Sequence, residues 1–327
     1  MTPQQSSCSH IAVLGAGAWG TALALASHRA GRKTTLWVRE DDVLASLKAG
    51  KQNRFLPGVT LPQDLAVTGD LAQACKAEAL LLVVPAQVLH AFADALRPHL
   101  SPAKPVVICA KGIEKKTGKL VTEVATEALP DAALAILSGP SFARDVAMGL
   151  PTAVTIAAQN GLAEQIQLAL GSASFRPYAS DDLTGVALGG AAKNVYAIAC
   201  GVVEGMALGE NARAALLARS FAELSRLGEQ LGAKRETLMG LSGLGDLVLT
   251  ATSKSSRNFS YGAALGAGTR PGAALAEGVD TAPALVRRAR AAGVELPIAE
   301  AMADLLSGAL PLGEAVMRLM SRKLTVE

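Results

Sequence analysis

Cysteine is scarce in this chain and nowhere clustered. The 327 residues hold four, Cys8, Cys75, Cys109 and Cys200, with no CxxC pair among them. That scatter argues against a disulfide framework and against a zinc site, so no metal is expected and a reducing cytoplasm is the expected compartment. Excess charge of either sign is missing too: 31 Lys and Arg face 28 Asp and Glu. A net charge of +3 gives no reason to expect nucleic acid or an anionic membrane as partner, although it permits a local basic pocket for a phosphorylated small molecule. The opening MTPQQSSCSH lacks the apolar core of a secretory signal and reads as a short loose tail. The longest apolar region, Val186 to Leu208, is interrupted by Lys193, Asn194 and Glu204, and so reads as a buried helix, not a membrane span. Internal repeats and low-complexity tracts are absent.

What the chain does have is core. Half of its residues are hydrophobic and 18% are charged, and 327 residues are too many for one comfortable core, so two domains are expected. The N-terminal half alternates continuous apolar runs with helical patterns: strands at Ile11–Leu14, Thr34–Val38, Leu65–Thr68, Leu80–Val84, Val106–Cys109 and Leu134–Leu137, then Ala153–Ala157 and Phe175–Tyr178. Such runs mark a parallel sheet covered on both faces, hence a doubly wound α/β (Rossmann) domain over residues 1–180. From Asp181 onward Ala, Leu, Gly and Arg recur at helical spacing, which predicts an all-α domain over 181–327, with helices that include Leu183–Gly205, Tyr261–Leu265 and Thr281–Ala292.

Within the first domain, IAVLGAGAWG places Gly15, Gly17 and Gly20 directly after a buried strand and at the start of an Ala/Leu helix. This is the dinucleotide fingerprint: Gly15 makes the turn, Gly17 lets backbone approach a pyrophosphate, and Gly20 lets helix and strand pack closely. At the end of the second strand stands Arg39, followed by Glu40. An Arg there suits the 2′-phosphate of NADP, while the adjacent Glu keeps NAD open.

Lys193 lies inside the apolar stretch GGAAKNVYAIACGVV, and a buried lysine is costly enough that it usually has either a task or a carboxylate partner. Small residues on its N-terminal side, Gly189 to Ala192, would admit a second segment closely. Lys111 follows the strand PVVICA, and the loop SGPSFARDV also starts at a strand's C-terminal end, where ligands of open α/β sheets bind. Downstream, GLSGLGDLVLT sets Asp246 in an apolar, glycine-rich context, and KSSRNFSYG groups Ser256, Arg257 and Asn258 as anion donors.

Taken in order, GAGAWGTALA, AKGIE, SGPSFA, GGAAKNVYAIACG, GLGDLVLT and SSRN resemble the bacterial-type NAD(P)-dependent glycerol-3-phosphate dehydrogenases from about Ile11 to Pro297. The resemblance implies reversible reduction of dihydroxyacetone phosphate to sn-glycerol 3-phosphate, feeding glycerophospholipid synthesis, with NADP or NAD as cofactor. It implies a cytoplasmic homodimer without nucleic-acid or membrane partners. Lys193 then matches the catalytic lysine, acting with Lys111, Asp246 and Asn194, and Thr250 also falls near the chemistry. The cofactor positions it implies, beside the three fingerprint glycines, are Ala18, Trp19, Arg39, Lys111, Ala143, Arg257, Leu275 and Glu277. For substrate it implies Lys111, Gly139, Ser141, Lys193, Asp246, Ser256, Arg257 and Asn258. The segment ALAEGVDT around Leu275 and Glu277 departs from the family pattern, and Gly266 to Gly272 is short for it.

In this reading Lys193 supplies a proton and positive charge to the developing alkoxide, its pKa lowered by desolvation and by Lys111 while Asp246 opposes the shift and orients it. Ala18 and Trp19 are expected to present the nicotinamide toward that lysine across an interdomain cleft. Two alternatives stand at this point: another two-domain hydroxyacid-type dehydrogenase, and a non-catalytic dinucleotide-binding protein.

Overall fold

The computed structural model describes residues 8–50, 52–272 and 276–320. The chain separates into two units. One holds the described residues up to Ala110 together with Val121–Val186; the other holds Lys111–Leu120 and the described residues from Ala187 onward.

The first unit runs β1 (His10–Leu14), α1 (Ala18–Arg29), β2 (Lys33–Trp37), α2 (Asp41–Lys48), β3 (Ala66–Thr68), α3 (Leu71–Ala74), β4 (Ala79–Leu82), α4 (Leu89–Leu96), β5 (Pro105–Ile108), α5 (Val121–Ala128), β6 (Ala133–Ser138), α6 (Ala143–Ala147), β7 (Thr152–Ala158), α7 (Leu162–Leu170) and β8 (Phe175–Ser180). Its eight strands form one sheet in the order β3-β2-β1-β4-β5-β6-β7-β8. The chain therefore reverses direction across the sheet between β1 and β4, the switch point at which doubly wound folds bind nucleotides. Ile11, Val13, Leu36, Leu81 and Val107 are fully buried, as strands covered on both faces require.

Two strands depart from the parallel direction: β7 runs antiparallel to β6, pairing Ser138 with Thr155, and β8 runs parallel to β7 and so against the other six. The connecting helix α6 has five residues. At 1.5 Å per residue it rises roughly 7 Å, too little to carry the chain back along a strand for a parallel return, so the chain turns back instead.

The second unit is helical, as expected. The long α8 (Leu183–Gly205) leads into α9 (Glu210–Gln230), α10 (Arg235–Met239), a π-turn over Leu241–Gly245, α11 (Asp246–Thr252), α12 (Arg257–Gly266), α13 (Glu277–Ala291), α14 (Pro297–Ser307) and α15 (Leu312–Met320). The α8 helix is long and apolar enough by composition to cross a membrane, but all of its apolar window is buried within the protein. Asp182 starts it by accepting the Gly185 N–H at 2.7 Å.

Two helices begin earlier than their hydrophobic pattern indicates. The α12 helix starts at Arg257 and not at Tyr261, because Ser256 accepts the Phe259 N–H at 3.2 Å and caps a polar first turn. The α13 helix starts at Glu277 and not at Thr281, with Pro283 inside it.

Candidate functional site

In the first unit the site begins at the turn after β1. Gly15 has φ +125°, and a Cβ there would collide with the Val83 carbonyl on the chain leaving β4. Only glycine fits that turn. A Cβ at Gly20 would collide with the Gly15 carbonyl, whereas one at Gly17 would meet nothing within 4 Å. The turn is thus closed on the protein side and open at Gly17, where α1 starts with no side-chain cap on its backbone donors. An uncapped helix start beside open space is a ready anion site.

Ala18 and Trp19 form the first turn of α1, and the Trp19 indole N–H is buried without a hydrogen-bond partner among the described residues. Just beyond β2, Arg39 is exposed and donates from Nε and Nη2 to Glu40 Oε1 at 3.1 and 2.7 Å. These residues fit a dinucleotide: open backbone donors for a pyrophosphate, an unmet indole donor, and a guanidinium at the strand end. Gly139 and Ser141 follow β6, where the Ser141 hydroxyl donates to the Gly139 carbonyl at 2.9 Å, and Ala143 opens α6. Leu275 lies outside the described residues.

The second unit brings together most of the other candidates. Lys193, on α8, is 6% exposed, and Asp246, the first residue of α11, is 1% exposed. Lys193 Nζ donates to Asp246 Oδ1 at 2.5 Å and to Thr250 Oγ1 at 3.1 Å. Lys111 Nζ donates to the other carboxylate oxygen, Oδ2, at 2.7 Å. The Thr250 hydroxyl donates in turn to Asp246 Oδ1 at 3.2 Å. One carboxylate therefore bridges two ammonium groups.

Local sequence explains how they meet. A Cβ on Gly189 would lie 2.5 Å from the Ser242 carbonyl, so the absence of a side chain lets the π-turn rest directly on α8. Four residues further along each segment stand Lys193 and Asp246. The small-residue run before Lys193 thus admits the partner segment that the sequence predicts.

The electrostatics follow from burial. Desolvation, the largest effect, pulls the Lys193 ammonium down to about 7; repulsion from Lys111 acts in the same direction, and Asp246 opposes both. For Asp246 burial favours the neutral acid, but Lys111 and Lys193 together outweigh it and hold the carboxyl below its ordinary range. Glu277, at the start of α13, is pushed up by burial against the pull of Arg257, Lys193 and Lys111, which places its charge in the same neighbourhood.

Beside this cluster is the first turn of α12. The Ser256 hydroxyl accepts from Phe259 as the cap, and Arg257 follows it. Asn258 is more occupied than the sequence suggests: its Nδ2 donates to Asn194 Oδ1 at 2.9 Å, and its Oδ1 accepts the Gly278 N–H at 2.9 Å. That leaves one amide hydrogen for a ligand. The α8 and α12 helices touch backbone to backbone here, since a Cβ on Gly201 or Gly262 would strike the Phe259 or Ile198 carbonyl.

The sequence profile described as NAD-dependent glycerol-3-phosphate dehydrogenase N-terminus matches residues 10–163, and the profile of the C-terminus matches 182–317. The chain belongs to the NAD-dependent glycerol-3-phosphate dehydrogenase family. Among curated relatives, the glycerol-3-phosphate dehydrogenase [NAD(P)+] of Afipia carboxidovorans is 56% identical over 318 residues, 97% of this chain and 98% of its own. The enzyme of the same name from Rhodospirillum rubrum is 56% identical over 327 residues, covering 97% of this chain and 94% of its own. Among solved structures, the glycerol-3-phosphate dehydrogenase of Coxiella burnetii superposes with a TM-score of 0.91 at 38% identity, over 96% of this chain and 99% of that one.

Membership accounts for the pairing of a fingerprint turn with a lysine–aspartate cluster. Sequence reasoning did not single out Asp280, Arg287 or Arg288, which tie the Lys111–Leu120 segment to α13. Lys115 pairs with Asp280 at 3.0 Å, Arg287 donates to the Lys115 carbonyl, and Arg288 donates to the Gly118 carbonyl at 3.2 Å. Their signal in the sequence is ordinary surface charge on a helix, which nothing local distinguishes.

Proposed function

We propose that this chain reduces dihydroxyacetone phosphate to sn-glycerol 3-phosphate with NADPH or NADH, reversibly, and so feeds glycerophospholipid synthesis in the cytoplasm. The observation that carries the reading is the buried Lys193–Asp246–Lys111 bridge next to the capped first turn of α12. Residues 1–180 serve as the dinucleotide-binding domain and 181–327 as the substrate and catalytic domain. A homodimer belongs to the same reading.

The bound reduced nicotinamide supplies a hydride to the ketone carbon. Gly15, Gly17, Ala18, Trp19 and Gly20 hold its pyrophosphate half on the donors at the start of α1, and Arg39 meets the adenosine end. Ala143, Leu275 and Glu277 complete the cofactor contacts. Lys193, as ammonium, donates its proton to the carbonyl oxygen as negative charge develops there; in the reverse direction the neutral amine takes the proton from the hydroxyl. A group poised near 7 does both at neutral pH, which an ordinary lysine at ~10.4 does not. Asp246 and Thr250 orient the amine, Lys111 adds positive charge, and Asn194, next in sequence to Lys193, accepts from Asn258.

The substrate phosphate is remote from the reacting carbon, so its binding energy can position the ketone. Ser256, Arg257 and the free hydrogen of Asn258 carry that task, with the backbone donors of the first turn of α12 behind them. Gly139 and Ser141 contribute from the loop after β6. This phosphate-binding end is what favours a phosphorylated substrate over a plain hydroxyacid.

The test is spectrophotometric. Dihydroxyacetone phosphate with NADPH or NADH is compared with a set of 2-oxoacids of similar size. Cofactor oxidation with the phosphorylated ketone alone supports the reading; turnover of an oxoacid without it would replace the reading by the hydroxyacid dehydrogenase alternative.

A further inference from the structure

Asn53 lies in the loop after α2, far in sequence from the fingerprint, yet its side chain is 1% exposed. Its Nδ2 donates to the Ala16 carbonyl at 2.8 Å and to Thr21 Oγ1 at 2.8 Å, and its Oδ1 accepts the Phe55 N–H at 2.9 Å. Both ends of the amide are spent on holding the loop against the turn. The Ala16 carbonyl is half of the peptide unit that continues into Gly17.

A trans peptide points its C=O and its N–H in opposite directions. With the Ala16 oxygen held inward on Asn53, the Gly17 N–H faces the opposite way. Gly17 is exposed, and a Cβ built on it meets nothing within 4 Å. A peptide preceding a glycine has little steric resistance to flipping, because glycine tolerates both signs of φ. Flipped, this peptide would aim a carbonyl oxygen where an anion is to bind.

We infer that Asn53 is the positioning residue of the pyrophosphate turn: it locks the Ala16–Gly17 peptide with the carbonyl inward and the amide presented to the cofactor. It acts through the backbone, without touching the ligand. The inference rests on the dinucleotide-binding reading of this turn. It assigns to the loop around Asn53 a role in cofactor affinity that the fingerprint residues alone do not show.

The test compares the parent with Asn53→Ala and Asn53→Asp by titrating NADPH, followed by its fluorescence, and adenosine 2′-monophosphate, followed calorimetrically. The second probe keeps the adenosine and 2′-phosphate but has no 5′-phosphate and so no part of the pyrophosphate. The lock predicts that Kd for NADPH rises roughly tenfold in Asn53→Ala, the effect of leaving one buried hydrogen-bonding group unmet. It predicts a larger rise in Asn53→Asp, whose carboxylate faces the Ala16 carbonyl oxygen without a donor. The Kd for adenosine 2′-monophosphate stays within about twofold in both. Equal losses for the two probes mean general damage to the unit and overturn the proposal, as does an unchanged Kd for NADPH. Failure of the parent to bind NADPH and NADH alike would instead remove the dinucleotide reading, and the lock with it. Amide hydrogen exchange over residues 15–21 in the ligand-free chain gives a readout that needs no nucleotide. The lock predicts faster exchange confined to this turn in Asn53→Ala, and unchanged exchange there contradicts it.

Discussion

Replacing Asp246 by Asn keeps the shape of the central bridge and removes its charge. In the parent, one carboxylate 1% exposed to solvent holds Lys193 at 2.5 Å and Lys111 at 2.7 Å. Without it two ammonium groups face each other in a buried site, and the cheapest response is for Lys193 to lose its proton. Breaking a buried pair by removing one partner costs about 3–5 kcal/mol, and about 3 kcal/mol corresponds to roughly two pKa units. Lys193, held at about 7 in the parent, then titrates two units lower. Since reduction needs the ammonium form, the alkaline fall of kcat should move from about 7 to roughly 5. At pH 8 the protonated fraction drops from about one tenth to about one thousandth, so reduction slows about a hundredfold; at pH 5 the deficit shrinks to about twofold. Following NADPH oxidation with saturating dihydroxyacetone phosphate across pH 5 to 9 measures it, with circular dichroism at each pH to check folding. A deficit of equal size at every pH would show that Asp246 acts only by geometry and would refute this electrostatic account.

Three further outcomes follow from the same structure. Removing the guanidinium of Arg257 by substitution with Ala forfeits a charge-assisted hydrogen bond of ~1.5–3 kcal/mol, so kcat/KM for dihydroxyacetone phosphate should fall roughly ten- to a hundredfold. Steady-state kinetics at saturating NADPH check this, and an unchanged ratio would take Arg257 off the phosphate. Arg39→Ala should lower kcat/KM for NADPH relative to NADH by about tenfold, because the exposed guanidinium at the end of β2 is the group available to a 2′-phosphate. Equal losses with the two cofactors would contradict that assignment. Finally, Glu223 on α9 is buried while accepting from Ile298 N–H at 2.8 Å at the start of α14, and burial pushes its carboxyl up to about 7. Its folded pKa lies above the unfolded one, so the stability it contributes is present below the ordinary carboxylate range and is lost as pH rises through about 7. The melting temperature of Glu223→Gln should therefore gain on that of the parent between pH 5 and pH 8; a difference independent of pH would mean that Glu223 is not titrating there.

The legible parts of this molecule are those whose physics is local. A run of four buried apolar residues ending in glycines specifies the β1 turn, because no other residue fits Gly15 against Val83. The ends of α8 could be read to the residue, since Asp182 caps the start of a long apolar pattern. Lys193 stood out because a lysine within such a pattern must find compensation, and Asp246 supplies it. What escaped depends on partners distant in sequence or on hydrogen bonds in place of hydrophobic period. The first turn of α12 is polar, so its apolar pattern begins only after the residues that matter for an anion. The antiparallel β7 follows from the shortness of α6, which the apolar run Ala153–Ala157 does not report. Lys111–Leu120 follows β5 in sequence yet groups with the helical unit, through side chains of α13 more than 150 residues away. Asn53 looks like any polar loop residue until its contacts with Ala16 and Thr21 are seen.

The central claim is that Lys193 is the proton donor for reduction of a phosphorylated ketone, and Lys193→Met tests it most directly. Methionine fills a similar volume and has no proton to give. With dihydroxyacetone phosphate and NADPH at neutral pH, kcat should drop by roughly 10²–10⁴, the usual contribution of a positioned general acid, while the Kd for NADPH holds. A variant that turns over as fast as the parent would contradict the account.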